Sequence, residues 1–196
     1  MTRLAAANDG NTPLSLEEIE GLIPNLATKE ELNEWERENM LRGREWALSD
    51  RSSPVDVLSD KYVRKLHRKM FDKTWKWAGH YRLTEKNIGV SVHQIREMLF
   101  GLLGDARYWI QNSTYSLDEI AIRFHHRLVF IHPFPNGNGR HARLIAGVLV
   151  SKLGRPEFTW GSANLVRQEE ARRRYLETLK VADKGDVQPL LIFARS

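Results

Sequence analysis

His132-Pro133-Phe134-Pro135-Asn136-Gly137-Asn138-Gly139-Arg140-His141-Ala142-Arg143 decides the reading of this chain. These twelve positions bring together a titratable base, two glycines, two asparagines and two arginines. An apolar run with helical spacing precedes them, from Ile120 to Ile131, and another follows, from Leu144 to Leu153. The stretch therefore reads as a tight loop between two core helices. The rest of the chain reads as the scaffold that holds it. A base beside an anion cradle is the equipment for transferring a phosphate-containing group.

Gly137 and Gly139 can take backbone angles closed to other residues, which lets successive N–H groups line one concavity. At the start of the second helix those groups lack intrahelical acceptors, and the helix dipole favours a phosphate. Arg140 and Arg143 lie three positions apart and share a helix face. Guanidinium groups grip phosphate oxygens in pairs with a permanent charge. Asn138 adds a neutral donor and acceptor. His132 ends the first helix, and an imidazole with an unperturbed pKa of about 6.5 suits a general base. Phe134 reads as an inward anchor for the loop. A single histidine, a lone Gly-x-Gly or a pair of helix arginines is commonplace. Packing does not ask for all of them together.

The 196 residues suit one domain with a proper core. Apolar residues make up 41% and charged residues 28%, ordinary for a soluble globular protein. There are no cysteines, which excludes disulfides and thiolate metal sites. No apolar run reaches membrane-spanning length and no signal-peptide core opens the chain, so a cytoplasmic protein is the simplest reading. The formal charge of +5 raises nucleic acid as a partner. The basic residues are interleaved with acidic ones, as in Arg167-Gln168-Glu169-Glu170-Ala171-Arg172-Arg173-Arg174, a solvated helix face rather than a groove reader. No direct nucleic-acid binding is expected.

The expected fold class is all-α, with one small β-hairpin. Residues 1–13 read as a disordered N-terminus, and residues 14–54 as N-terminal helices. A short helix runs from Ser15 to Leu22 and stops near Pro24. Thr28 caps a long helix to Leu48, with Glu31 completing a capping box, and turns Leu32, Trp35, Met40 and Trp46 to the core. Residues 50–54 form a loop, and Ser59 caps the next helix. Residues 79–92 are the best β candidate. Further helices are expected over His93–Ile110, Leu117–His132, Gly139–Leu153, Leu165–Ala182 and Gln188–Ala194. His125 and His126 lack the four-residue spacing of helical metal pairs and read as packing or surface residues. The six tryptophans read as core and interface anchors rather than as a base platform.

The loop closely resembles the signature of the Fic family, His-x-Phe-x-Asp/Glu-Gly-Asn-Gly-Arg-x-x-Arg, at every fixed position but one. Trp77-Ala78-Gly79-His80-Tyr81-Arg82 and Asn87-Ile88-Gly89-Val90 look like the family's flap. Tyr175-Leu176 through Gly185-Asp186-Val187-Gln188-Pro189-Leu190 looks like its closing segment. The resemblance implies a Fic domain over residues 55–196, a Fic-type helical bundle with a β-hairpin flap. Asn33-Glu34-Trp35-Glu36 and Lys73-Thr74-Trp75-Lys76-Trp77 make the chain similar to the subgroup labelled mobile mystery protein B.

The resemblance implies a protein adenylyltransferase that moves AMP from ATP to a Ser, Thr or Tyr hydroxyl. His132 would be the base. Gly137, Asn138, Gly139, Arg140 and Arg143 would hold the phosphates, with Arg143 at the γ end. Mg²⁺ or Mn²⁺ would accompany ATP at Asn136, where the family usually has a carboxylate. Asn keeps an oxygen ligand but loses a charge, which implies weaker metal binding. Ile88 and Gly89 of the flap would pin the target by strand addition. Glu20 is the expected inhibitory glutamate pairing with Arg143, although the serine of that family motif is displaced by one position. Alternatives are AMP removal, transfer of another nucleotide, or a toxin-like component acting through a partner protein. The subgroup also implies a small helix-turn-helix regulator as partner, and a homo-oligomer stays open.

Overall fold

The computed structural model describes residues 14–26, 28–162 and 168–196. The expectations for residues 1–13, and for a helix start at Leu165, lie outside them. α1 (Leu16–Glu20), α2 (Lys29–Ser49), α3 (Pro54–Val57) and α4 (Asp60–Phe71) each follow a hydroxyl residue: Ser15, Thr28, Ser53 and Ser59. Each hydroxyl accepts the N–H three residues on, satisfying a donor the helix cannot. In α1, α2 and α3 an acidic third residue returns the bond and closes a capping box. α3, not expected from the sequence, begins at the end of the loop over residues 50–54, because Ser53, Pro54 and Asp56 supply cap, first helical residue and box.

A 3₁₀ turn at Val92–Gln94 leads into α5 (Ile95–Gln111), followed by α6 (Leu117–Ile131) and α7 (Asn138–Lys152). α8 (Gln168–Ala182) and α9 (Gln188–Arg195) complete the order. α6 and α7 pack together at the centre, α5 lies on α6, α2 lies along α4, and α8 pairs with α9. α6 buries Ile120, Ala121, Ile122, Phe124, Leu128 and Ile131, three of them consecutive, which marks a helix enclosed on most sides. The signature loop therefore hangs from the two most central helices.

α2 departs from the expected pattern. Trp35 is 41% exposed, its indole N–H donating to the Lys73 carbonyl. The buried row is Leu32, Glu36, Asn39, Gly43 and Ala47, which carries a carboxylate and an amide into the core. A Cβ at Gly43 would stand 2.9 Å from the backbone of Met70, so only glycine permits this approach of α2 to α4.

The expected β-hairpin over residues 79–92 does not form. Among the described residues there is no strand, only an isolated bridge between Leu22 and Trp75. No backbone ladder joins the two arms; their N–H groups turn to residues 131–133 instead, Arg82 N–H donating to the Pro133 carbonyl and Val90 N–H to that of Ile131. The carbonyls of Thr84 and Val90, which a ladder would use, accept from the Arg82 guanidinium. No described helix is long and apolar enough to cross a membrane.

Candidate active site

His132 is the residue that caps α6, and it takes the left-handed conformation, φ 54° and ψ 57°. A residue with a side chain visits that region only when its surroundings insist. The insistence comes from the flap. Arg82, wholly buried, donates through Nε to the His132 carbonyl at 2.8 Å and through its other nitrogens to Thr84 and Val90. Gly89, at φ +97°, lies so close that a Cβ there would stand 2.6 Å from the His132 Cβ. His132 is 6% exposed. Burial pushes its pKa down to about 4, helped by the nearby Arg82 and Lys86 charges, against a backbone contact at Val129 that works the other way. The imidazole is therefore neutral at pH 7 and able to accept a proton.

The loop is closed from within. The Asn138 side chain accepts the Phe134 N–H at 2.9 Å and donates to the Phe134 carbonyl at 2.8 Å. It thus shapes the loop rather than projecting toward a phosphate. Phe134 is fully buried, stacked on His67 at 3.7 Å between ring centroids. Gly137 precedes α7 at φ 76°, and a Cβ there would meet the Phe71 ring at 2.6 Å. The N–H groups of Asn138, Gly139 and Arg140 then head α7, a first turn without intrahelical acceptors. A Cβ at Gly139 would meet only the Tyr175 hydroxyl, at 3.8 Å, so the approach to those amides is open. Asn136 is half-buried. Its Oδ1 accepts the Gly137 N–H at 2.5 Å and its carbonyl faces His67 Nε2 at 3.1 Å.

The two arginines are held differently. Arg140 Nη1 pairs with Glu36 Oε2 at 2.7 Å, and its guanidinium lies over the Phe71 ring. The other Glu36 oxygen accepts the Trp75 indole N–H at 2.7 Å. Arg143 lies over the Tyr175 ring with one long bond, 3.4 Å, to the Gly139 carbonyl. Among the described residues no carboxylate pairs with Arg143. Both arginines line a cavity of about 290 Å³ that continues along α7 past Leu144 and Gly147 to Phe158.

His132, Asn136, Gly137, Asn138, Gly139, Arg140 and Arg143 thus come together with Gly89, while Ile88 is 45% exposed on the flap. Glu20 does not join them: it is exposed at the end of α1. Its neighbour Glu18 is buried instead and accepts from Thr84 Oγ1 at 3.0 Å and Lys86 Nζ at 2.5 Å, fastening α1 to the flap. The sequence reading missed His67, Glu36 and Glu18, and did not give Arg82 a role. The available signal was a polar residue at a buried helical register: His67 beside Val63, Leu66 and Met70, and Glu36 beside Leu32 and Asn39.

Residues 57–150 match the Fic/DOC family. The chain belongs to that family. Among curated relatives, the protein adenylyltransferase fic-1 of Caenorhabditis elegans is 30% identical over 144 residues, 71% of this chain and 27% of that protein. The chain therefore spans about a quarter of that relative's length. The solved Fic-1 structure from C. elegans superposes with a TM-score of 0.61 at 23% identity, covering 90% of this chain and 50% of that one. BepC from Bartonella tribocorum, solved with bound AMPPNP, gives 0.66 at 18% identity, covering 92% and 97%. At these identities the structures show the Fic fold, and the Fic signature loop is the one described above.

Proposed function

We propose that this chain is a protein adenylyltransferase, moving AMP from ATP to a Ser, Thr or Tyr hydroxyl of a target protein. The observation that carries the reading is the wedge at His132: a buried, neutral imidazole between a flap and the open N-terminus of α7. A hydroxyl delivered along the flap gives its proton to His132. Its oxygen bonds to the α-phosphorus, and the bond to the bridging oxygen breaks, so pyrophosphate leaves. The α7 amides hold phosphate oxygens, and Arg143 meets the γ end. Such a reaction asks mainly for positioning and charge neutralisation.

The residues fit Mg²⁺ or Mn²⁺ only as a companion of the nucleotide. Among the described residues no group of His, Asp or Glu could hold an ion. Asn136 Oδ1 keeps one lone pair beyond the one facing Gly137, and Mg²⁺ commonly binds through few protein oxygens plus phosphates. The cation would neutralise phosphate charge there.

Self-inhibition is part of the proposal. An N-terminal carboxylate restrains a signature arginine, and Glu36 on α2 supports this better than Glu20, because it meets Arg140 at 2.7 Å. A carboxylate and a phosphate compete for the same guanidinium fork.

Intact-mass spectrometry after incubation with ATP and Mg²⁺ or Mn²⁺ tests this on wild type, His132→Ala, Glu36→Gln and Glu20→Gly. One added AMP in Glu36→Gln, less in wild type and none in His132→Ala is expected. No adduct in any variant, with or without a candidate target, sinks the transferase reading. Release in Glu20→Gly alone returns the brake to Glu20.

A further inference from the structure

We propose that His67 is a positioning residue that ties the signature loop to the root of the flap through its two ring nitrogens. His67 lies on α4, one of the helices beneath the loop, and is wholly buried. Its Nδ1 accepts the Gly79 N–H at 3.0 Å. A backbone amide can only donate, so Nδ1 carries no proton and Nε2 does. Nε2–H then donates to the Asn136 carbonyl at 3.1 Å. The tautomer is fixed by the fold, and a single rigid ring spans two segments remote in sequence.

Both ends are built to receive it. Gly79 turns at φ +78° against α4, where a Cβ would strike the Arg64 carbonyl at 2.7 Å. It is the hinge from which residues 80–92 set out across His132. Asn136 is the residue proposed above to meet the nucleotide's cation, and its carbonyl is the only atom through which α4 reaches it in the bonds described. Phe134 stacks on the same imidazole, so the ring also sets the height of the loop. An interior histidine filling space would need neither bond. Here each nitrogen meets a different segment of the site. His67 therefore sets how the target-side flap and the phosphate-side loop sit relative to each other.

Two variants separate the two ends. Glutamine places its amide near the Nε2 position and keeps a donor for Asn136. Asparagine places its oxygen near Nδ1 and keeps an acceptor for Gly79. Amide hydrogen exchange on the full chain, without nucleotide, should speed up at Gly79 but not in residues 134–140 for His67→Gln. The reverse is expected for His67→Asn. Losing one neutral hydrogen bond corresponds to roughly a three- to tenfold change. With Mg·ATP as the probe, His67→Asn should raise the KM for self-modification by about that factor, with kcat little changed, while His67→Gln leaves KM near wild type. Equal exchange changes at both ends in both variants, or none in either, overturn the proposal. If His67→Asn does not fold, the exchange pattern of His67→Gln decides alone. The kinetic arm rests on the proposed AMP transfer. If wild type transfers no AMP, that reading fails, and the exchange pattern still decides whether His67 ties the two segments.

Discussion

Glu36 and Arg140, 104 positions apart in sequence, meet at 2.7 Å. The carboxylate side chain is 6% exposed and the guanidinium 31%, so water screens the pair only from one side. Glu36→Gln keeps an oxygen for the Trp75 indole but removes the charge that holds Arg140. A hydrogen bond involving a charged group contributes about 1.5–3 kcal/mol, so thermal stability should fall by several degrees. Self-modification should rise by about tenfold as Arg140 becomes available to phosphate. A less stable variant with no gain in AMP transfer would make Glu36 a structural tie and nothing more.

The flap's closest approach to the base gives a second test. Alanine at Gly89 would need a left-handed angle, at about 1–2 kcal/mol, and would drive its Cβ into that of His132. Gly89→Ala should retain the helical fold yet lose AMP transfer by two or more orders of magnitude, roughly the span of general-base catalysis. Ile88→Ala, on an exposed side chain, should keep kcat and raise the KM for a protein target. Loss of kcat in Ile88→Ala would place that side chain at the chemistry instead of at target capture.

Most of this architecture was legible in the sequence because its signals are local. Ser15, Thr28 and Ser59 announce their helices through backbone donors three residues away, and the helical periods of α6 and α7 frame the loop. The signature itself is contiguous, so its seven polar and glycine positions could be placed before any fold was known. What escaped was long-range. Residues 79–92 look like a hairpin, yet Arg82 takes the carbonyls a hairpin needs and the arms dock on residues 131–133. Glu36, which its neighbours in sequence do not single out, meets Arg140. Which carboxylate reaches an arginine depends on how α2 crosses α7, and no spacing rule reports that. The amphipathic pattern of α2 predicts Trp35 turned inward with Leu32, Met40 and Trp46, where the close approach of Gly43 to Met70 turns a different face to the core.

Acid should destabilise the fold. His125 is held at about 3, His132 and His141 at about 4, and His67 well below its ordinary value, all chiefly by burial. In the unfolded chain the same groups titrate near about 6.5. Between those limits the unfolded state binds more protons, so stability is full above pH 6.5 and declines as pH falls toward 4. Each histidine contributes about 1.4 kcal/mol per pH unit over that window. Urea midpoints should therefore drop markedly from pH 7 to pH 5. Unchanged midpoints would mean that these rings are accessible to protons in the folded state.

Asn136→Asp addresses the one signature position where the chain departs from its family. Asp is nearly isosteric, and a carboxylate oxygen can still accept the Gly137 N–H now received by Oδ1 at 2.5 Å. The His67 bond uses the backbone carbonyl and is untouched by the exchange. The loop should therefore keep its shape while gaining a full negative charge beside the nucleotide's cation. The Mg²⁺ concentration giving half-maximal AMP transfer should fall by about tenfold, the scale of one charge interaction at partial burial. Maximal rate at saturating Mg²⁺ should change less, because the cation's phosphate ligands are the same. Titrating Mg²⁺ at fixed ATP in wild type and Asn136→Asp reads this directly. Coincident titration curves would mean that residue 136 does not face the cation and that the phosphates alone carry it.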